Sequence, residues 1–271
     1  IKNIRGKIIH HIAFIEAALD DPEHISIDNY GDELKIDVNK ILFDLEKLLS
    51  TSDDGKIIKL NSATSKADGT TDKKGGKFTS YHDGISFYYT EVDSEKENFV
   101  FTATFTVDYL NPTPDGQEGF GIIARDSIGD HGVSSDNFMT NSASILATKI
   151  EKTFDDGTKV TLKDGLGTRF TYGLTSELIA ANSTVGAASE YNAFSWNEED
   201  IIKQGDVYTL TLKKTNTGYH AILNNDESKE IIMYDNYSKA LTAVDSEKIY
   251  VGLAVARGCN VTVTDMSFTT S

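Results

Sequence analysis

Glu91-Val92-Asp93-Ser94-Glu95 places three carboxylates at alternate positions. On a strand, alternate side chains share a face, so all three could point into one cleft. Carboxylates about 5 Å apart in such a cleft are the equipment of retaining glycoside hydrolysis: a nucleophile, a helper and a general acid/base. The residues that follow, Ser94-Glu95-Lys96-Glu97-Asn98, are polar throughout and precede a new strand. The same carboxylates therefore also fit a solvated hairpin turn.

Two similar strands end in arginine, Gly121-Ile122-Ile123-Ala124-Arg125 and Gly252-Leu253-Ala254-Val255-Ala256-Arg257. Guanidinium groups at equivalent ends of neighbouring strands would hold a carboxylate bidentately, unless each is tied to a neighbouring acid such as Asp126. Tyr191-Asn192-Ala193-Phe194-Ser195-Trp196 contains the chain's one tryptophan in a polar stretch without alternation. As an exposed loop, Tyr191, Phe194 and Trp196 would stack on the apolar C–H face of a pyranose; folded inward, they would close a sandwich edge.

Asp126, Asp130 and Asp136 lie in a segment rich in oxygen donors, which suggests a structural calcium ion, although the D-x-[DN]-x-[DN]-G loop is absent. Asp265 follows a phase change at Thr264, which predicts a bulge that turns its carboxylate toward a cation or a turn. His10 and His11 are adjacent on a predicted helix and point about 100° apart, so they cannot share one ion. With His24 they read as structural or surface residues. The single cysteine, Cys259, has no intrachain disulfide partner and no Cys/His pattern around it.

The elements that must position these groups are strands. In Phe99–Tyr109 the odd positions Phe99, Phe101, Ala103, Phe105, Val107 and Tyr109 are apolar, and Thr102, Thr104, Thr106 and Asp108 alternate with them. One face lies on a core and the other is wet, the habit of antiparallel sheets. Similar patterns predict strands at 77–81, 84–91, 98–109, 119–126, 143–150, 158–163, 168–173, 206–214, 218–224, 229–234, 248–257 and 260–269. Turns such as Asp83-Gly84, Asp156-Gly157 and Thr217-Gly218 bound them. The fold class is mainly β: an antiparallel sandwich or jelly roll over 77–271, entered through a Gly/Ser/Thr/Lys-rich linker at 60–76.

Residues 1–59 differ. Ile4, Ile8, Ile12, Ile15 and Leu19 recur at helical spacing, then Val38, Ile41, Leu42, Leu45, Leu48 and Leu49, with Asp37 as N-cap. They predict an α-helical hairpin whose two stripes pack on each other. A net charge of −16 argues against nucleic acid and anionic membrane as partners. No apolar run approaches the roughly 20 residues of a membrane span, and no G-x-x-x-x-G-K-[ST] cradle for a nucleotide occurs. The start at Ile1 without Met reads as a fragment or mature form.

Two resemblances add to this. GKIIHHIAFIEAALDDPEHISIDNYGDEL with LEKLLSTSDDGKIIK, about residues 2–59, resembles the helical domain of the MnmE (TrmE) tRNA-modification GTPases. The missing P-loop removes GTP hydrolysis from what that resemblance implies. It leaves a fused helical adaptor, which by itself would imply the cytoplasm. GISFYYTEV, FTATFTVDYLNPTPDGQEGFGIIARD and KIYVGLAVARGCNVTVTDMSF resemble the accessory β-sandwich of secreted bacterial pectate lyases and related polysaccharide-degrading enzymes, concanavalin-like and laminin-G-like in shape. That resemblance implies a non-catalytic, extracellular carbohydrate-binding module. The expected binding residues are Arg125, Tyr191, Phe194, Trp196 and Arg257. The alternatives are a glycoside hydrolase or lyase using Glu91, Asp93 and Glu95, and a structural domain with the helical segment as adaptor.

Overall fold

The computed structural model describes residues 10–16, 18, 30, 31, 34, 35, 38, 51, 52, 57–65, 71–73, 76–79, 84–128, 140–234, 241 and 244–271. The chain divides into two compact units, Ile1–Gly55 and Lys56–Ser271.

In the first unit residues 10–16 are helical. Of the isoleucine stripe, Ile12 and Ile15 are 50% and 39% exposed, while His11 and Ala18 are buried; Ile4, Ile8 and Leu19 lie outside the described residues. Tyr30 stacks on Phe14 at 4.4 Å and its hydroxyl lies 2.8 Å from His11 Nδ1. His11 is thus structural, as its place beside His10 implies; His24 lies outside the described residues. Helical backbone already occurs at 30, 31, 34 and 35, upstream of the expected cap at 37. Thr51–Ser52 (β1) is the last described element of this unit.

The second unit is an antiparallel β-sandwich. Its strands are Ile57–Asn61 (β2), Ala63–Ser65 (β3), Thr71–Lys73 (β4), Gly76–Lys77 (β5), Gly84–Asp93 (β6), Phe99–Leu110 (β7), Gly119–Arg125 (β8), Ser142–Thr153 (β9), Lys159–Tyr172 (β10), Ala188–Ala193 (β11), Val207–Lys214 (β12), Tyr219–Leu223 (β13), Ile231–Ile232 (β14), Lys248–Ala256 (β15) and Cys259–Thr270 (β16). One sheet runs β2-β16-β7-β12-β13-β14; the other runs β11-β10-β9-β8-β15-β6-β5. β3 and β4 form a separate hairpin.

β7 alternates as its sequence demands. Phe99, Phe101, Ala103, Phe105 and Val107 enter the core between the sheets, where they meet Phe120, Ile122, Ile145, Phe170, Leu210, Leu212, Leu253 and Val263. On the wet side threonine hydroxyls pair across the ladder, Thr102 with Thr211 at 2.8 Å and Thr104 with Thr209 at 3.0 Å.

Three departures from the sequence pattern matter. Residues 57–59, grouped with the helical segment through its resemblance over about residues 2–59, belong to β2 and pair with β16, so Ile58 and Leu60 join the core. The two strands expected at 158–163 and 168–173 are one, β10, whose register shifts at a bulge between Leu162 and Gly165. Ala188–Ala193, expected as loop, is the edge strand β11. The sequence ASEYNA lacks alternation because an edge strand needs only one paired side and little burial.

Glycines let β8 and β15 lie close to their neighbours. A Cβ on Gly252 would stand 2.1 Å from the Tyr88 carbonyl oxygen, and one on Gly121, at φ +155°, 2.2 Å from that of Ile145. Gly252→Ala should therefore lower stability by about 2–3 kcal/mol through forced separation of β15 from β6, read as a fall in denaturation midpoint.

The bulge of β10 carries Asp164, whose carboxyl is pushed up to about 6 by burial and then by the charge of Glu118. The folded state holds this proton more tightly than the unfolded chain. The group therefore costs stability progressively as pH rises from about 4 through about 6, and the cost is complete above that. Asp164→Asn should raise the melting temperature at pH 7.5 by a few degrees, roughly 2–4 °C per kcal/mol recovered. At pH 4 the difference from the parent chain should vanish.

Candidate functional site

The acidic trio does not form a cleft. Strand β6 runs two residues further than its pattern suggests, so Glu91 and Asp93 do share a face, but Glu95 has passed into the turn at 94–96. Each strand carboxylate has local work. Glu91 pairs with Lys248 at 2.6 Å. Asp93 accepts the backbone N–H groups of Glu95 and Lys96 and the Lys96 ammonium at 3.1, 3.0 and 2.9 Å. Hydrogen bonds from Lys96 hold the Asp93 carboxyl below its ordinary range. This is a capped, solvated hairpin turn.

The arginine pair is also divided, for a topological reason. β8 and β15 are antiparallel, with Arg125 opposite Tyr250 and Gly119 opposite Ala256. Similar strands that both end in arginine thus place those ends at opposite limits of the ladder. Arg257 pairs with Asp115. Arg125 is 2% exposed, its guanidinium 5.6 Å from the Phe87 ring centre, and is closed to a ligand. The arginine that shares its face is Arg169 on β10, two strands away and equally buried. Arg169 donates to the Thr79 carbonyl at 2.5 Å and lies against Phe78, 5.7 Å from the ring centre.

Asp126 is not available as a metal ligand. It is fully buried and accepts hydrogen bonds from Thr140 Oγ1 at 3.0 Å, Asn141 N at 3.0 Å, Asn141 Nδ2 at 2.6 Å and the Val244 backbone. Burial pushes its carboxyl above the ordinary range against those bonds. The Asn141 side chain is in turn clamped to both backbone groups of Leu174 at 2.9 Å. Asp265 sits at a bulge in β16, φ +50°, as the phase change requires, but exposed and on the other sheet, with a 3.2 Å hydrogen bond from Thr264. Asp130 and Asp136 lie outside the described residues. Among the described residues no group of three or more His, Cys, Asp or Glu side chains is placed to hold a metal ion.

The aromatic group is split as well. Phe194 turns inward onto the main core. Tyr191, on β11 opposite Arg169, and Trp196 pack half-buried beside Ile150, Leu162 and Ala193 on the outer face of the second sheet. What the sequence pattern missed stands beside them. Phe154, at the β9–β10 hairpin, meets Trp196 edge to face at 5.3 Å. The Lys152 ammonium lies 5.5 Å from the Phe154 ring centre and 5.9 Å from that of Trp196. Among the described residues Lys152 has no carboxylate partner within ion-pair distance, whereas Lys149 and Lys159 both pair with Glu151. The available signal was Phe154 itself, a large apolar residue at a polar Asp155-Asp156-Gly157 turn.

The architecture is that of an antiparallel two-sheet β-sandwich, with a half-exposed aromatic and cationic face on its second sheet. The chain belongs to the pectate disaccharide-lyase N-terminal domain family, whose model matches residues 35–271. It is 35% identical over 195 residues to pectate lyase L of Thermoclostridium stercorarium, which covers 71% of this chain and 14% of the relative. It is 28% identical over 218 residues to a pectate disaccharide-lyase of Dickeya chrysanthemi, covering 74% and 27%. A stretch of 59 residues is 46% identical to the tRNA modification GTPase MnmE of Lachnoclostridium phytofermentans, covering 22% of this chain and 13% of that protein. The chain thus spans only a small part of the length of each. Among solved structures, a basic winged bean lectin superposes with a TM-score of 0.43 at 12% identity, covering 82% of this chain and 94% of the lectin.

The Asp126 network should be worth more than any single contact around it. Asp126→Ala strands several buried donors, which predicts a loss of roughly 3 kcal/mol. For a domain of this size that is a fall of about 6–12 °C in melting temperature, measurable by calorimetry.

Proposed function

We propose that the sandwich is a non-catalytic carbohydrate-binding module that takes an acidic polysaccharide on the face formed by Lys152, Phe154, Tyr191 and Trp196. The observation that carries this reading is the Lys152 ammonium poised over two aromatic rings without a carboxylate partner among the described residues, in a chain of net charge −16. Aromatic rings accept the C–H face of a pyranose, and an unneutralised ammonium beside them selects a sugar that carries a carboxylate. The pectate lyase names of the relatives support a uronate polymer as the ligand. Such a polymer lies outside the cell, and we place the module there, holding an attached enzyme on it.

The test is calorimetric titration of the full chain with galacturonate oligomers, alongside their methyl esters. Trp196→Ala should weaken binding of both about tenfold or more, equivalent to about 1.4 kcal/mol. Lys152→Ala should weaken the acid and spare the ester. Loss of affinity for the acid with rising salt should follow the same residue. Depolymerisation of any of these oligomers by the chain, abolished by Glu91→Gln, would instead establish an enzyme.

A further inference from the structure

At the other end of the same sheet face, the segment Asp126–Ile128 and the segment Val244–Glu247 enclose an open cleft of about 460 Å³ with Tyr250 as a wall. That volume falls within the roughly 300–1,000 Å³ of ordinary small-molecule sites. An aromatic row continues outward from Tyr250 beyond the lining. Tyr250 meets Tyr89 edge to face at 5.6 Å, and Tyr89, 41% exposed, stacks on Phe87 at 5.3 Å. The geometry is fixed before any ligand arrives. The Tyr250 hydroxyl donates to Asp245 Oδ2 at 3.1 Å, while Asp245 Oδ1 accepts the backbone N–H groups of Glu247 and Lys248 at 2.9 and 3.1 Å.

The charge of this cleft is opposite to that of the Lys152 face. Its ionisable lining is Asp126, Asp245 and Glu247, with Glu91 across the ladder from Tyr250. Two cations adjoin it: Lys248, which is paired with Glu91, and Arg125, which stands opposite Tyr250 but is buried against Phe87. A uronate carboxylate brought beside Asp245 or Glu247 meets like charge. A neutral sugar meets acceptors for its hydroxyls and an aromatic wall for its C–H face, the combination of sparse polar groups and apolar surface typical of small-molecule sites.

We propose that this cleft binds a neutral, hydroxyl-rich oligosaccharide, with Tyr250 and Tyr89 as the stacking wall and Asp245 and Glu247 as hydroxyl acceptors. In register, Tyr250 is level with Arg125 and Ser142, and Lys152 lies ten residues further along β9. At about 3.3 Å per residue the two sites stand roughly 33 Å apart. The module would then hold charged and uncharged portions of one polymer at once, or join two polymers. This inference stands apart from the Trp196 reading and fails separately from it.

The experiment is titration of the full chain, by calorimetry and by amide chemical shifts, with cellotetraose and β-1,4-galactotetraose as neutral probes, tetragalacturonate as the acidic probe and a glucosamine tetramer as the cationic one. A neutral tetrasaccharide should bind with a Kd on the order of 0.1–1 mM. Tyr250→Ala should weaken it about tenfold or more. Tyr89→Ala should weaken it too, without touching the bond to Asp245. Tyr250→Phe keeps the ring and should stay within about threefold of the parent, and Trp196→Ala should leave the neutral probe unaffected. Four results would each overturn the proposal. These are no neutral binding up to about 10 mM, neutral binding that survives both alanine changes, neutral binding that disappears with Trp196→Ala, and tighter occupation of this cleft by the acidic or cationic probe.

Discussion

A buried carboxylate needs its charge answered from every side, and Asp126 is answered by Thr140, by both nitrogens of Asn141 and by the backbone at Val244. Removing an ionisable group from water is expensive, and only dense hydrogen bonding offsets it. The consequence is geometric. One side chain ties the end of β8 to the start of β9 and to the segment that leads into β15, and through Asn141 to Leu174 beyond β10. The rim of the Tyr250 cleft is set by these bonds rather than by the core beneath it.

The outer face of the second sheet is organised by what covers it. Its middle is sealed: Phe78 lies on Ile123, Leu146, Ala254 and Ala256, with Ile85 and Phe87 packed alongside. Arg125 and Arg169 are buried beside that patch, and the sheet surface there is closed to a polymer. Among the described residues, open groups stand at the two ends of β9: the Lys152, Phe154 and Trp196 group at one and the Tyr250 wall at the other. One end presents an ammonium without a carboxylate partner among the described residues and the other a lining of carboxylates, so the two ends differ in what they can hold.

Much of the frame was legible in the chain. The alternation of Phe99–Tyr109, the turns at Asp156-Gly157 and Thr217-Gly218, and the phase change before Asp265 all depend on neighbours one or two residues away, which a sequence displays directly. The candidate sites were much less so. Arg125 and Arg257 looked equivalent because each closes a similar strand, yet their separation follows from strand direction, which local pattern does not carry. Phe194 and Trp196 are two residues apart and part company because Phe194 finds the main core and Trp196 finds Phe154, 42 positions earlier in the chain. Ile12 and Ile15 of the first helix are exposed, while Phe14 and His11 meet the ring of Tyr30, a contact the helical period does not display.

By itself, then, the sequence determined the strand-rich antiparallel class and the core residues of the long strands. These rest on backbone sterics and on the period of side-chain direction, which act over a few residues. Tertiary structure alone decided which aromatic rings stay half in water, that Asp126 is a structural acceptor and not an open ligand, and that Lys152 stands over Phe154 and Trp196. Burial and pairing of a side chain depend on groups that only folding brings near, and their free energy belongs to the assembled neighbourhood, not to the residue.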